Sequence, residues 1–167
     1  MIVSWDIGVN NLSYCILDIS ENKINIKKWD IIDIKNGMNI KKEKMRIFEN
    51  IPNILDTIPE LLDAKYVVIE NQPCMKNPTM KSIQIIVYSY FIIKGLQNKD
   101  SNIEHIIFQS ASNKLKVYKG PPVEKKYKTK YSQRKFEAVK HTNFFLENDK
   151  ENFDFFNSKK KKDDLAD

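Results

Sequence analysis

Glycine is scarce in this chain: four residues in 167, at positions 8, 37, 95 and 120. That leaves little room for a glycine-rich phosphate cradle. Cysteine is scarcer still. Cys15 and Cys74 form neither a disulfide framework nor a CxxC or Cys/His array, which excludes a stapled secreted scaffold and a zinc ribbon. Arginine occurs only at Arg46 and Arg134, against abundant Lys, Ile and Asn, a bias that reflects A/T-rich coding rather than chemistry. The longest apolar run, Ile83 to Ile93, is too short to span a bilayer and carries Gln84 and Ser89. The N-terminus, Met1-Ile2-Val3-Ser4-Trp5-Asp6, lacks the basic region of a signal peptide. These absences lead to the expectation of an intracellular protein.

What is present is a globular composition, 41% hydrophobic and 30% charged, of about one domain's length. The net charge of +6 is unevenly distributed. Residues 1–112 hold 13 basic and 13 acidic residues, whereas 113–162 hold 15 basic and 6 acidic. Tyr118, Tyr127 and Tyr131 interleave with the lysines. Such a segment attracts an anionic partner and offers stacking faces, as a nucleic-acid surface does. The plain alternative is a solvated lysine face.

The spacing predicts strands at 1–7, 12–19, 23–34, 66–70 and 103–108, with a turn at Ser20-Glu21-Asn22. It predicts a helix over 40–62 whose apolar stripe is Met45, Phe48, Ile51, Leu55, Ile58 and Leu62, broken or kinked at Pro52 and Pro59. A second helix, 79–98, follows Pro78 and is apolar nearly all round, so it is expected to be buried on both sides. A lysine-rich loop leads to a third helix over 131–146 with Phe136, Val139, Phe144 and Phe145 inward, and a last helix begins near Lys160. Three meander strands followed by α-β-α-β crossovers give an α/β fold: a mixed five-stranded sheet flanked by helices, read as one domain over 1–167.

Asp6 and Glu70 each end an apolar strand. If those strands are parallel neighbours, two carboxylates meet at one sheet edge, and a divalent cation relieves their repulsion. All-oxygen ligands suit Mg2+ or Mn2+ rather than Zn2+. Asp164 and Asp167 lie at i, i+3, and Asp163 and Asp167 at i, i+4, so either pair shares a helix face. Packed across the sheet edge, such a helix would complete a cavity of four carboxylates. That suits two ions roughly 3.5–4 Å apart, clamping the attacking and leaving oxygens of a phosphodiester. The plain alternatives are a strand-end turn residue for Asp6 or Glu70 and a charge-balanced helix start for the terminal aspartates. His105 and His141 read as structural, and the two cysteines as core or neutral thiols.

The segment Trp5-Asp6-Ile7-Gly8-Val9-Asn10-Asn11-Leu12-Ser13-Tyr14-Cys15 resembles the first motif of RuvC-like Holliday junction resolvases, of the fungal mitochondrial and poxvirus or large-DNA-virus type. Ile69-Glu70-Asn71-Gln72-Pro73 resembles their second motif, Asn77-Pro78-Thr79-Met80-Lys81 the helix start after it, and Asp163-Asp164-Leu165-Ala166-Asp167 the final D-x-x-D. The resemblance implies an RNase H-like fold and Mg2+-dependent endonucleolytic cleavage of four-way DNA junctions in recombination, repair or viral genome processing. It implies two ions per site, with Mn2+ able to substitute. It also implies a homodimer through helix 79–98, and activity inside the cell, at viral replication sites in the host cytoplasm. By this likeness Asp6, Glu70, Asp164 and Asp167 are the metal ligands and Lys135 the supporting active-site lysine. Lys125, Lys126, Lys128, Lys130, Tyr131, Arg134 and Lys135, within the basic loop 112–135, are the candidate DNA contacts. Helix continues beyond the final aspartate in that family, so the C-terminal helix is expected to be cut short at Asp167. Two other functions fit the same residues: an RNase H-like nuclease acting on other branched or hybrid nucleic acids, and a non-catalytic junction-binding protein. The pattern Asp6-x-Gly8-x-x-Asn11 also resembles the first phosphate loop of actin-like and sugar-kinase proteins, but those folds need further glycine-rich loops, and only Gly37, Gly95 and Gly120 remain.

Overall fold

The structure is a computed structural model and describes residues 1–20 and 23–166. The turn expected at Glu21-Asn22 and the ligand expected at Asp167 lie outside the described residues. Two compact units divide the chain, Met1–Gln109 and Ser110–Asp167.

The first unit is built on a five-stranded sheet of β1 (Ile2–Ile7), β2 (Asn11–Ser20), β3 (Lys23–Asp33), β4 (Tyr66–Glu70) and β5 (His105–Gln109), in the order β3-β2-β1-β4-β5. β1, β2 and β3 form the antiparallel meander, and β4 and β5 join β1 in parallel. The sequence pattern anticipates this arrangement, with β1 central and β4 beside it. Alternate residues supply the core from one face of the sheet: Val3, Trp5 and Ile7 on β1, Leu12, Tyr14 and Ile16 on β2, Val67 and Ile69 on β4. Trp5 is buried with its ring 5.3 Å from Tyr14 and 5.9 Å from Phe91. Full burial of each large apolar side chain contributes about 1.5–3 kcal/mol.

Two helices supply the other side of that core. α1 (Lys44–Asp56) buries Ile47, Ile51 and Leu55, spaced at i, i+4, i+8. The expected helix over 40–62 is shorter at both ends. Pro52 is tolerated inside α1, but Pro59 forces Ile58 out of helical geometry (φ −124°, ψ 75°) and opens a separate 3-10 turn, Pro59–Asp63. Met45, expected inward, is 64% exposed, because the buried stripe runs through Ile47 instead. α2 (Pro78–Tyr90) starts where Asn77 caps it, its side-chain oxygen accepting from the Met80 N–H at 3.2 Å. The last turns widen to π geometry over Phe91–Leu96. Ile83, Val87 and Phe91 face the core, while Ile85 and Ile93 remain exposed, so burial all round this helix is not reached within one chain.

The second unit is helical: a 3-10 turn (Ala111–Val117), then α3 (Lys130–Phe145), α4 (Lys150–Ser158) and α5 (Lys162–Ala166). Its buried residues are Ala138, Leu146, Phe156 and Leu165. Phe145, expected inward, is exposed, because Ala138 and Leu146 set the buried stripe. α4 was hidden in the sequence by its polar surface. Asp149 caps it, accepting from the Asn152 N–H at 3.2 Å, and Asn157 donates to Asn143 of α3 at 2.8 Å. Tyr118 stacks on His141 with ring centroids 3.7 Å apart, and its hydroxyl donates to the Pro121 carbonyl.

Candidate functional site

Within the first unit, the pairing register decides where the two strand-end carboxylates go. β1 and β4 pair in parallel from Ile2↔Tyr66 to Trp5↔Ile69, and Asp6 and Glu70 are the next residue on each strand. Neighbouring strands lie about 4.8 Å apart, so the two residues stand side by side. Trp5 and Ile69 point into the core. Asp6 and Glu70 therefore project from the opposite face, where both are half-buried. Asp6 pairs on its other side with Ser13, and Glu70 with Gln109. The result is a transverse row, Ser13–Asp6–Glu70–Gln109, of four oxygen-bearing side chains on one face at the carboxyl ends of β1 and β4.

The turn beyond Asp6 is held by Gly8. Its N–H donates to the Asn11 carbonyl at 3.0 Å, and a Cβ at position 8 would come within 2.6 Å of that same oxygen. Beyond Glu70 the Asn71 N–H donates to the Gln109 carbonyl at 2.8 Å, and Gln72, buried, reaches back to the Ile7 carbonyl at 3.4 Å. The ends of β1, β4 and β5 are thus tied together next to the carboxylates.

Cys15 lies on the carboxylate face of β2, two residues along the strand from Ser13. Burial pushes its thiol up to about 12, so it is a neutral group at physiological pH. Tyr14, on the core face, is also raised to about 12 by burial and by the charges of Asp30 and Glu60. Among the described residues, no group of three or more His, Cys, Asp or Glu side chains lies close enough to share a metal ion. The row supplies two carboxylates flanked by a hydroxyl and an amide, a hard all-oxygen donor set that fits Mg2+ or Mn2+.

In the second unit, Lys135 on α3 donates to Asp163 at the start of α5. Burial works against its charge, but the hydrogen bonds to Asp163 and the Tyr131 hydroxyl outweigh it and raise the lysine's pKa. Its ammonium also lies 5.2 Å from the Tyr131 ring centre. Asp164 follows on α5, half-buried. Lys125, Lys126, Lys128, Lys130 and Arg134 are exposed, and Tyr131 is 70% exposed. The Lys126 ammonium lies over the rings of Tyr127 and Phe136. With 15 basic against 9 acidic residues, the second unit carries all of the chain's excess positive charge. The residues that sequence reasoning overlooked are Ser13, Gln109, Gln72 and Gln84. Strand alternation and register would have found the first two; a lone amide inside the most apolar run was the signal for Gln84.

No family model matches the chain. It is 36% identical over 158 residues, 89% of its length, to an uncharacterised protein of Acanthamoeba polyphaga mimivirus. It spans 38% of the length of that relative. Among solved structures, the yeast mitochondrial Holliday junction resolvase matches with a TM-score of 0.67 at 16% identity, covering 99% of this chain and 74% of the other. The fowlpox virus resolvase in complex with its Holliday junction DNA matches with a TM-score of 0.60 at 21% identity, over 99% and 89%. Thermus thermophilus RuvC follows at 0.52 and 10%, over 87% and 79%. The sheet order and these structural matches give the chain the RNase H-like fold, the fold that these Holliday junction resolvases share.

Proposed function

We propose that this chain is a structure-selective, Mg2+-dependent endonuclease that cuts four-way DNA junctions in pairs of nicks, as a homodimer. The observation that carries the reading is the side-by-side register of Asp6 and Glu70 on one face of a resolvase-type sheet. Two carboxylates held this close are costly without a cation. Asp6 and Glu70 would hold the ions, joined by Asp164 and Asp167 from the end of the chain. Asp163, which pairs with Lys135, is the alternative to Asp164 as the ligand from this helix. Bound there, divalent ions would activate water and stabilise the departing 3′ oxygen.

The chain's own residues do the rest. Lys135, protonated throughout the physiological range, offers charge to the phosphate. Lys125, Lys126, Lys128, Lys130 and Arg134 neutralise backbone phosphates, and Tyr131 offers an exposed ring for stacking. A junction carries no sequence to read, so charge and shape recognise it. The exposed Ile85 and Ile93 on and just beyond α2 supply an apolar face for the partner subunit. A viral replication site in the host cell suits the mimivirus likeness.

The test is cleavage of a synthetic four-way junction, a flap and a linear duplex, each with Mg2+ and with EDTA. The junction should be cut in paired strands only with Mg2+, and the linear duplex left intact. Asp6→Asn should lower the cleavage rate roughly a hundredfold or more while gel-shift binding persists. Equal cutting of all three substrates, or cleavage that survives Asp6→Asn, overturns the proposal. Binding lost in Asp6→Asn, with no cleavage by either form, favours an architectural junction binder.

A further inference from the structure

Gln84 is fully buried in the most apolar helix of the chain. Its carbonyl oxygen accepts from the Gln72 N–H at 2.8 Å and from the Lys81 ammonium at 3.2 Å. Both partners can only donate, so the amide's orientation is fixed with oxygen toward them. The amide nitrogen is then left buried with no hydrogen-bond partner among the described residues. An apolar residue would fill this position without that orphaned donor, so the amide's presence needs a reason beyond packing. Lys81 supplies the second link: its ammonium also donates to the Asn71 side chain at 3.2 Å and lies 5.5 Å from the centre of the Phe108 ring.

These contacts converge on the two residues that follow Glu70. Asn71 is held by Lys81 through its side chain and by Gln109 through its backbone. Gln72 is held by Gln84 through its backbone and reaches the Ile7 carbonyl, one residue past Asp6, through its side chain. One end of the network therefore grips the strand carrying Glu70 and the other grips the strand carrying Asp6. We propose that Gln84 and Lys81 are positioning residues, and that the Lys81–Gln84–Gln72 network holds Glu70 abreast of Asp6 for divalent-cation binding. This rests on the metal reading given above. A merely structural role for these side chains would show in folding and leave cation affinity unchanged. A small slip of one strand end separates the two carboxylates and weakens a shared ion, as loss of outer partners does at metal sites.

The test is Mn2+ titration by calorimetry on the full chain without DNA, beside far-UV circular dichroism and thermal melting. Gln84→Leu is expected to weaken Mn2+ binding about tenfold while the helical signal is kept. Gln84→Glu keeps an acceptor for both donors and should rescue affinity to within about threefold of wild type. Lys81→Met, at a half-exposed site, keeps the inference testable should Gln84→Leu fold poorly, and its sign discriminates. Loss of a nearby cation by itself tightens Mn2+ binding, whereas loss of positioning weakens it. Unchanged affinity in Gln84→Leu, or tighter binding in Lys81→Met, overturns this inference and leaves the metal reading standing. A wild-type chain that binds no Mn2+ overturns both.

Discussion

Replacing Gly8 by alanine should disturb the chain at the turn that follows Asp6. Gly8 is not in a left-handed conformation; the constraint is space. The added Cβ would lie 2.6 Å from the Asn11 carbonyl oxygen, and ordinary contact begins at 3.4 Å, so the two must part by about 0.8 Å. The obstacle is backbone, and Asn11 is itself paired with Asp33 of β3, so it cannot swing aside as a side chain would. The Gly8 N–H bond to that oxygen, now 3.0 Å, would open beyond hydrogen-bonding range. One lost backbone hydrogen bond and the residual strain together cost about 1.5–3 kcal/mol. At about 2–4 °C per kcal/mol for a chain of this size, the melting temperature should fall by about 3–12 °C. Gly37 is the control, since it has φ +82° and nothing within 4 Å of an added Cβ. Gly37→Ala pays only for the left-handed backbone, about 1 kcal/mol, and should drop the melting temperature by about 2–4 °C. Differential scanning fluorimetry of the three proteins, with and without Mn2+, is the assay. The Mn2+-dependent shift should shrink in Gly8→Ala and persist in Gly37→Ala. A Gly8→Ala protein melting within about 1 °C of wild type would refute the steric argument.

Junction binding should weaken steeply with salt, and Lys125→Gln, Lys126→Gln and Lys128→Gln combined should reduce the slope of log affinity against log salt by about 3, as read by fluorescence anisotropy. An unchanged slope would remove those lysines from the interface. Alkaline stability should depend on Cys15, whose thiol is raised by burial from 9.0 to about 12. The folded state holds that proton more tightly, so the contribution is complete below pH 9 and is lost as pH climbs toward 12. Denaturant melts of Cys15→Ala should therefore fall less steeply with pH across that window than those of wild type. Cys15, only partly exposed, should react with a thiol reagent more slowly in the native state than the exposed Cys74; two equally fast cysteines would contradict it.

The parts of this fold that could be read beforehand are those encoded over short distances. An apolar alternation ending in an acid marks β1 and β4 in the sequence, and the Asn77-Pro78 start of α2 is a local signal that the structure keeps. Helix faces were less legible. Once α1 begins at Lys44, Ile47 turns inward and Met45 outward, and the sequence holds apolar residues at both. The all-round apolar pattern of α2 does not by itself say which side its own chain covers, and Ile85 and Ile93 turn out exposed. For the site, Asp6 and Glu70 were visible one at a time, but their relation depends on a parallel register between residues 64 positions apart, set by packing of the whole sheet. The bond between Lys135 and Asp163, 28 residues apart, is likewise a tertiary fact. Gln84 was visible only as an interruption; its meaning came with Gln72 and Lys81 as neighbours.

Trp5 immediately precedes Asp6, sealed between Tyr14 and Phe91. The chain has one other tryptophan, Trp29, on β3. With Trp29→Phe, ultraviolet emission would come from a single indole whose backbone is continuous with the first carboxylate. That makes the protein its own optical gauge: a stopped-flow trace of blue-shifted light would time the settling of this strand end as a cation or a DNA branch arrives, with no dye attached.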